Sequence, residues 1–241
     1  MYRLQKQVPE ILSIIPARSG SSEVKYKNIK LLGDKPLLYY TIMASTKSLV
    51  SRTIVSTDSP RIVEIAKKYG AEVPFLRPKF FSTSTSSSIS VILHCLDFLK
   101  RKENYSPDYV VFLQPTSPFR TFLDVNNGIM KILKTKTMSL VGIVQVSEHP
   151  YWMFKKSKND KLSEFVTKKN KPLRRQDLPS LYCINDALFI SKSEYYHNAS
   201  LNDPVFDKNN LSGFEMDRLH SFDINTKFDF KIAEYLSKSI L

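Results

Sequence analysis

A short aliphatic run, residues 11–15 (ILSII), lies near the start of this 241-residue chain and ends at Pro16. Its apolar residues do not alternate with polar ones. That pattern is typical of a strand buried on both faces, although a buried piece of helix can show it as well. The run therefore favours a β-strand at the centre of the fold, covered by other elements on both sides.

The loop after this run, residues 17–28, contains small, hydroxyl and cationic residues. Small residues let backbone N–H groups approach an anion, and Arg18, Lys25 and Lys27 supply positive charge. With Gly20 as its single glycine, the loop matches neither the P-loop nor the dinucleotide-binding fingerprint. Two interpretations remain open from the residues alone: a phosphate-binding loop at the carboxyl end of a first strand, or a polar loop with solvated lysines.

Strand and helix patterns alternate along the rest of the chain, which predicts an α/β fold with a parallel sheet and helices on its faces. The predicted strands cover residues 53–56, 71–76, 109–113, 140–146, 182–190 and 214–217, and the predicted helices cover residues 37–45, 61–69, 89–99, 125–133 and 228–236. Seven hydroxyl residues, 82–88, precede the third helix, where they can cap it and offer hydroxyl groups to a ligand.

A change of pattern after Ser147 divides the chain into three parts. Residues 1–147 are predicted to form a nucleotide-binding α/β core. Residues 148–181 are basic, weakly periodic and rich in turn residues, which indicates an excursion that carries a hairpin or a subunit contact. Residues 182–241 are predicted to return to the core.

The net charge of +13 is compatible with nucleic-acid binding, because a basic surface attracts phosphate backbones. The lysines, however, are concentrated between residues 155 and 171, and no zinc finger, RNP motif or helix-turn-helix pattern is present. We therefore expect solvated lysines and an acidic small substrate, with no nucleic-acid partner. Affinity for a duplex that falls steeply with salt would contradict this expectation.

Other features of the composition indicate a cytoplasmic enzyme. Cys95 and Cys183 form neither a disulfide framework nor a metal-binding spacing. No apolar run approaches the ~18 residues of a membrane helix, and residues 1–7 lack the apolar stretch of a signal peptide. No membrane partner is expected.

Six segments, in order, resemble the CMP-N-acylneuraminate synthetases, the cytidylyltransferases that activate nine-carbon acidic sugars. They are Ile15-Pro16-Ala17-Arg18-Ser19-Gly20-Ser21 with Lys27-Asn28, Val55-Ser56-Thr57-Asp58, Phe75-Leu76-Arg77-Pro78 with Thr85 to Ser88, Leu113-Gln114-Pro115-Thr116-Ser117-Pro118, Arg174-Arg175-Gln176-Asp177-Leu178-Pro179, and Ser221-Phe222-Asp223-Ile224-Asn225-Thr226. The resemblance covers most of the chain and is weakest between residues 148 and 171.

This resemblance implies a Rossmann-like nucleotidyltransferase, usually a homodimer, that joins CTP to an acidic nine-carbon sugar of the N-acetylneuraminate or N,N'-diacetyllegionaminate type and releases pyrophosphate. Neither sugar is favoured by a residue that we can name. Kdo or pseudaminate as the substrate, and a catalytically weakened CTP-binding homologue, remain as alternatives.

The resemblance also assigns residues to the substrates. Arg18, Ser21 and Lys27 are expected at the triphosphate, and Asn28 and Ser88 at the ribose. Arg77 and the backbone near Ser86 are expected to border the cytosine. On the sugar side it implies Gln114 for the acylamino group and Arg175, reaching towards a neighbouring subunit, for the carboxylate, which suits a guanidinium fork.

The same resemblance implies Mg²⁺ as the cofactor, because a hard cation with few carboxylate ligands bridges substrate phosphates. Asp223 is the expected ligand and a catalytic residue together with Arg18 and Lys27. The second acidic position is Asn225 here, whose side-chain oxygen can still ligate the metal or hold a metal-bound water, although one negative charge is lost.

Two further positions depart from the family pattern. Ser22 replaces a lysine expected near the triphosphate, and Lys25, three residues on, is the candidate to substitute for it. Cys183 stands where some relatives carry an arginine in the sugar pocket.

Overall fold

The computed structural model describes residues 8–20, 23–169, 171–172 and 174–240, with a six-stranded sheet at the centre. The strands are β1 (Ile11–Pro16), β2 (Leu31–Leu32), β3 (Lys35–Pro36), β4 (Arg52–Ser56), β5 (Tyr109–Phe112), β6 (Ser139–Gln145), β7 (Phe154–Lys156), β8 (Leu162–Glu164), β9 (Tyr182–Lys192) and β10 (Leu211–Glu215). The helices are α1 (Leu37–Thr46), α2 (Pro60–Lys68), α3 (Ser88–Glu103), α4 (Phe122–Thr135), α5 (Ser193–His197) and α6 (Lys227–Ile240).

The central sheet has the strand order β10-β6-β9-β5-β1-β4. Its neighbouring strands are parallel, except that β9 runs antiparallel to both β5 and β6. The prediction of a mostly parallel sheet flanked by helices is confirmed. In the sheet, β4 lies on one side of β1 and β5 lies on the other. The order in which the chain adds strands therefore reverses at β1. Open α/β sheets bind ligands outside the carboxyl ends of the strands at such a reversal.

Both faces of β1 are buried, as the aliphatic run predicts. Ile11 and Ile15 pack into a cluster with residues of α1, α2 and α4, whereas Leu12 and Ile14 pack on the other side with residues of α3. Because successive strand residues point to opposite faces, an unbroken apolar run supplies both layers of the core.

The predicted strand over residues 71–76 is wrong. The described chain forms there a single bridge, between Glu72 and Ile54 of β4. Pro74 has no backbone N–H to continue the ladder, so the segment leaves the sheet soon after its one pairing.

Strands β6 and β9 project beyond the end of β5 as a ribbon, and β10 accompanies β6 as far as Ile143. Val141 and Phe112 lie at the same level, since both pair with Phe189, and β6 continues from there to Gln145, which pairs with Tyr182. These four further residues extend the ribbon by ~13 Å. The segment 148–181 connects its two strands and contains the separate β7–β8 hairpin, whose residues are exposed.

Helix α6 packs near the loop after β1. A small apolar cluster, which includes Val24, Phe119, Ile224 and Phe230, joins the two elements. This packing carries the turn before α6 to the carboxyl end of β1. No helix in the described part of the chain is long and apolar enough to cross a membrane.

Candidate active site

A cleft of about 470 Å³ opens at the carboxyl ends of β1 and β5. Four segments line it: the loop after β1, the segment from Arg77 to the start of α3, the residues after β5, and the turn before α6. Eight of the predicted site residues lie in its wall, namely Arg18, Lys27, Asn28, Arg77, Ser86, Ser88, Gln114 and Asn225. Ser21, the remaining residue predicted in the opening loop, lies outside the described residues, as does Ser22.

The loop after β1 is held in place by a carboxylate from the neighbouring strand. The backbone N–H and the hydroxyl of Ser19 each donate a 2.7 Å hydrogen bond to Asp58. On the other side of the loop, Asn28 Nδ2 donates to the Arg18 carbonyl at 3.0 Å. Asp58 is missing from the predicted site residues, although its place just after β4 is a signal that could have identified it.

Lys27 links this loop to the turn before α6. Its Nζ donates a 2.8 Å hydrogen bond to the Ile224 carbonyl, and Ile224 N–H in turn donates to the Thr116 carbonyl at 2.9 Å. Burial lowers the pKa of Lys27, an effect that the nearby Asp223 carboxylate partly offsets and the Arg18 guanidinium reinforces. Two cations therefore lie near each other at the edge of the cleft, which favours a polyanionic ligand.

Arg77 is a buried cation in the cleft wall, with 5% of its surface exposed. Its backbone N–H donates to the Thr57 carbonyl at 2.7 Å, but its side-chain Nε and Nη2 have no hydrogen-bond partner in the described structure. Burial lowers its pKa. Buried polar atoms normally have partners, so this guanidinium is suited to a ligand that supplies acceptor oxygens.

The hydroxyl-rich segment forms a compact turn before α3. The Ser86 hydroxyl accepts from the Thr83 N–H at 3.0 Å and donates to the Phe80 carbonyl at 3.1 Å. Ser87 lies at the N-cap of α3 but makes no capping bond with its side chain, which donates instead to the Leu201 carbonyl at 3.1 Å. The expected side-chain cap is therefore absent at this serine, and the segment's hydrogen bonds fix the wall of the cleft.

Gln114 lies between the cleft and a neighbouring pocket of about 480 Å³. Phenylalanine side chains contribute to that pocket together with Asp186 and Asp203, and the described residues lining it include no lysine or arginine: Ser87, Ser88, Ile89, Phe112, Gln114, Ile184, Asp186, Phe189, Asp203, Pro204, Val205 and Phe206. The pocket is thus suited to a neutral group with apolar substituents, in contrast to the cationic cleft beside it.

Arg120 is 2% exposed and holds the backbone of Gln114 in place. Its Nη1 donates to the Gln114 carbonyl at 3.2 Å and to the Ala187 carbonyl of β9 at 2.6 Å. Burial lowers the pKa of Arg120 to about 9, although Asp124 and Asp223 partly offset this effect. Arg120 thus joins two walls of the site.

Asp223 offers one free carboxylate oxygen near the cleft. Its Oδ2 accepts a 2.7 Å hydrogen bond from Asn225 Nδ2, whereas its buried Oδ1 has no partner in the described structure. Asn225 is thus a hydrogen-bond donor to Asp223. No group of three or more His, Cys, Asp or Glu side chains in the described ranges could hold a metal by itself. An Mg²⁺ ion fits this site only if substrate oxygens complete its coordination.

Asp186 is a further carboxylate that the predicted site residues omit. It has a left-handed backbone with φ of 57°, which is uncommon for a residue other than glycine. Burial, and secondarily the negative charge of Asp223, raise its pKa. The Asp186 and Asp223 carboxylates therefore influence each other, and Asp186 lines the neighbouring pocket.

Three other residues from the sequence analysis lie away from the cleft. Arg175 donates from Nη2 to the Ser147 carbonyl at 3.2 Å and lines a separate pocket on the β6–β9 ribbon. Cys183 is exposed and pairs with Val144. Lys25 is exposed, with its Nζ 5.4 Å from the centre of the Tyr26 ring, so it does not replace the missing lysine in this arrangement.

Comparison with known proteins connects this geometry to one family. The family model described as "Cytidylyltransferase" matches residues 12–236. The chain is 32% identical to the CMP-N,N'-diacetyllegionaminic acid synthase of Legionella pneumophila, over 94% of this chain and 95% of that protein. It is also 32% identical to the N-acylneuraminate cytidylyltransferase of Escherichia coli, over 93% of this chain and 51% of the longer relative.

Among solved structures, CMP:2-keto-3-deoxy-manno-octonic acid synthetase complexed with CTP superposes with a TM-score of 0.70. The match covers 96% of this chain and 100% of that one, at 14% sequence identity. At this identity the likeness shows the fold alone, a Rossmann-like α/β architecture.

Proposed function

The chain belongs to the cytidylyltransferase family, and we propose that it transfers CMP from CTP to the anomeric hydroxyl of an acidic nine-carbon sugar. The anomeric oxygen forms a bond to the α-phosphorus and its proton is released to solvent, the bond from the α-phosphorus to the oxygen that bridges it to the β-phosphorus breaks, and pyrophosphate leaves with that electron pair. The observation that carries this proposal is the convergence of Arg18, Lys27 and Arg77 on one cleft at the carboxyl end of β1.

These cations offset the electrostatic repulsion between the two substrates. A triphosphate and a sugar carboxylate repel each other, so positive groups must hold both in line and stabilise the charge that develops on the leaving pyrophosphate. Arg18 and Lys27 hold the phosphates at the mouth of the opening loop, with Asn28 and Ser88 beside the ribose. Arg77, with unpaired buried N–H groups, borders the cytosine together with Ser86.

We propose Mg²⁺ as the cofactor, with the free Oδ1 of Asp223 as its protein ligand. When bound, the ion supplies positive charge that neutralises the phosphate oxygens. Asn225 holds the other carboxylate oxygen of Asp223 and so orients the ligand. Lys27 restrains the same turn through the Ile224 carbonyl.

For the sugar we propose a position across Gln114, with its uncharged substituents in the apolar pocket beside the cleft. Its carboxylate is assigned to Arg175. Because Arg175 lines no part of the cleft of its own chain, this assignment requires a homodimer in which the ribbon of one subunit reaches the cleft of the other. We propose a cytoplasmic location, where CTP is available.

Three alternatives remain. The fold neighbour named for an octonic acid keeps Kdo in consideration, and a relative named as a pseudaminic acid cytidylyltransferase keeps pseudaminate in consideration. A CTP-binding protein with weak or no turnover is favoured by Asn225, which lacks the charge of an aspartate, and by Ser22, where a lysine is expected.

The test is a turnover assay with CTP and Mg²⁺ across N-acetylneuraminate, N,N'-diacetyllegionaminate, pseudaminate and Kdo, with pyrophosphate as the readout. Rapid release with N-acetylneuraminate or N,N'-diacetyllegionaminate supports the proposal, and release with pseudaminate alone would support the pseudaminate alternative. Release with Kdo alone would support the eight-carbon alternative. CTP binding by calorimetry without pyrophosphate release on any acid would favour the binding protein.

A further inference from the structure

Strand β9 bulges at the edge of the 480 Å³ pocket beside the cleft. Between Val141 and Ile143, β6 advances by two residues, whereas β9 advances by five, from Phe189 to Ile184. The extra residues lie within the segment 185–188, which interrupts the regular ladder. Bulges are common beside active sites, because they re-aim a side chain that would otherwise follow the alternation of the strand.

The bulge is held in place by contacts on both sides. Within it, Asn185 Oδ1 accepts a 3.1 Å hydrogen bond from the Ala187 N–H, and the Ala187 carbonyl accepts one of 2.6 Å from Arg120. Gly142 of β6 leaves the room that the bulge needs, because a Cβ at this glycine would lie 2.5 Å from Asn185 Oδ1. Asp186 lies between these two anchored residues, so its position does not depend on bonds made by its own side chain.

The left-handed backbone of Asp186, with φ of 57°, is not compensated by a bond to its side chain. Aspartate tolerates this conformation when its carboxylate forms hydrogen bonds to nearby groups. Asp160, which has φ of 60°, forms an ion pair with Lys156. By contrast, no hydrogen-bond donor or cation of the described residues acts on the Asp186 carboxylate. Because Asp186 lines the pocket and its side chain is accessible to solvent, its carboxylate is available to a ligand.

Most other polar groups of the pocket are engaged within the protein. Apart from the residues shared with the cleft, the described lining contains two polar side chains besides Asp186. The Ser87 hydroxyl donates to the Leu201 carbonyl at 3.1 Å, and the Asp203 carboxylate accepts from the Ser200 N–H at 2.7 Å. Three phenylalanine side chains contribute to the walls. A group that fills this space must therefore be largely apolar and must present a hydrogen-bond donor to Asp186.

An acylamino group has both of these properties. Its N–H is a donor and its acyl methyl is apolar, whereas a hydroxyl group is a donor without an apolar part. A hydrogen bond to an ionised carboxylate is stronger than one to a neutral acceptor. The charge of Asp186 also repels the carboxylate of a sugar acid, so that end of the substrate is kept out of the pocket.

We propose that Asp186 determines which sugar acid the chain uses, by accepting a hydrogen bond from an acylamino N–H whose acyl methyl enters the phenylalanine-lined pocket. This inference rests on the proposed function, in which Gln114 already contacts one acylamino group. A second such group at Asp186 defines a nine-carbon acid with two acylamino groups, such as N,N'-diacetyllegionaminate. N-acetylneuraminate has a single acylamino group and presents only hydroxyl groups to the second position.

The test compares the full wild-type chain with Asp186→Gly, which removes the carboxylate and suits the left-handed backbone. Asp160→Gly is the matched control, because it makes the same substitution at a left-handed position in the exposed β7–β8 hairpin. At saturating CTP, the wild-type KM should be lower for N,N'-diacetyllegionaminate than for N-acetylneuraminate. Asp186→Gly should raise the first KM about tenfold or more, because a charge-assisted hydrogen bond is lost, and leave the second nearly unchanged. Asp160→Gly should change neither.

Asp186→Asn tests the charge separately from the shape. Asparagine also tolerates a left-handed backbone and keeps one acceptor oxygen, so its KM for N,N'-diacetyllegionaminate should lie between those of the wild-type protein and Asp186→Gly. A merely structural role of Asp186 in the bulge would instead change the KM values of both acids together, and that result would overturn the inference. Thermal melting checks that each variant is folded.

Two further results would overturn the inference while turnover upholds the proposed function: an unchanged ratio of the two KM values in Asp186→Gly, or a wild-type preference for N-acetylneuraminate. If neither acid is turned over, calorimetric titration of N,N'-diacetyllegionaminate in the presence of CTP and Mg²⁺ decides the question. Binding that is weakened in Asp186→Gly but not in Asp160→Gly supports the role of Asp186. Binding that is absent, or that does not depend on Asp186, overturns it.

Discussion

The Lys27 ammonium donates a 2.8 Å hydrogen bond to the Ile224 backbone carbonyl, across 197 residues of sequence. This single contact joins the loop after β1 to the turn that contains Asp223. The contact ties the cationic loop to the turn that carries Asp223, so a change at Lys27 is expected to affect both.

We expect Lys27→Ala to lower turnover of CTP by at least about 100-fold, because the variant loses a phosphate cation and a hydrogen bond that orients the Asp223 turn. The control is Lys25→Ala, since Lys25 carries the same charge two residues away and does not line the cleft. Its turnover should stay close to that of the wild-type protein. Pyrophosphate release measures both variants, and equal losses in the two would show that only the general charge of the loop matters.

Asp58→Ala is expected to weaken CTP binding, although Asp58 itself is assigned no contact with the nucleotide. The variant removes both hydrogen bonds to Ser19, each of ~1–2 kcal/mol, and the loop after β1 loses its fixed position. Calorimetry measures the loss of CTP affinity, and thermal melting measures the loss of stability.

A second carboxylate serves as the control for this variant. Asp108 accepts a 2.8 Å hydrogen bond from the Glu10 N–H, away from the cleft. We expect Asp108→Ala to keep its CTP affinity. An unchanged CTP affinity in Asp58→Ala would mean that the Ser19 contacts do not position the loop for the nucleotide.

Arg77→Met is expected to lower CTP affinity without lowering the stability of the fold. The buried guanidinium has two unpaired nitrogen atoms, so its replacement by an apolar side chain removes a desolvation penalty and is expected to keep or raise the melting temperature. CTP affinity should nevertheless fall about tenfold or more, because the acceptor groups of the nucleotide lose their partner.

Arg77→Lys tests the geometry of the same contact. Lysine keeps the charge but not the planar fork, so its CTP affinity is expected to lie between those of the Met variant and the wild-type protein. A Met variant that binds CTP normally would remove Arg77 from the nucleotide site.

Substitutions at Asp223 and Asn225 are expected to change the Mg²⁺ requirement for turnover in opposite directions. Asp223→Asn removes the ligand charge and is expected to raise the Mg²⁺ concentration needed for half-maximal turnover. Asn225→Asp restores a second negative charge and should lower it. Titration of Mg²⁺ at saturating CTP measures both, and two variants with the same Mg²⁺ requirement as the wild-type chain would argue against a metal at this turn.

Much of the fold could be predicted from local pattern. The apolar run of residues 11–15, the helix over residues 89–99 and the strand over 109–113 were all predicted from the spacing of apolar residues, which directly reflects how side chains are buried. Residues 71–76 show the limit of local pattern, because apolar residues such as Val73 and Phe75 indicate a strand while pairing depends on a backbone donor that Pro74 lacks.

The candidate site was predictable to a similar degree. Motif order led to Arg18, Lys27, Arg77 and Gln114, which the fold brings to one cleft. Asp58, Arg120 and Asp186 were missed as site residues, because their roles depend on neighbours that come from other strands. Arg120, for example, acquires its role only when Ala187, 67 residues away, lies beside Gln114.

The amino-acid sequence by itself thus determined the layered α/β class and the residues that carry charge to the carboxyl end of the first strand, because periodicity and turn chemistry act over a few residues. Only the tertiary structure decided which of those residues meet. The antiparallel insertion of β9, the bond from Lys27 to Ile224 and the separation of Arg175 from the cleft of its own chain all arise from packing between distant segments. That packing makes the loop after β1 the cationic wall of the cleft and brings beside it the turn that carries Asp223, which lies near the other end of the chain.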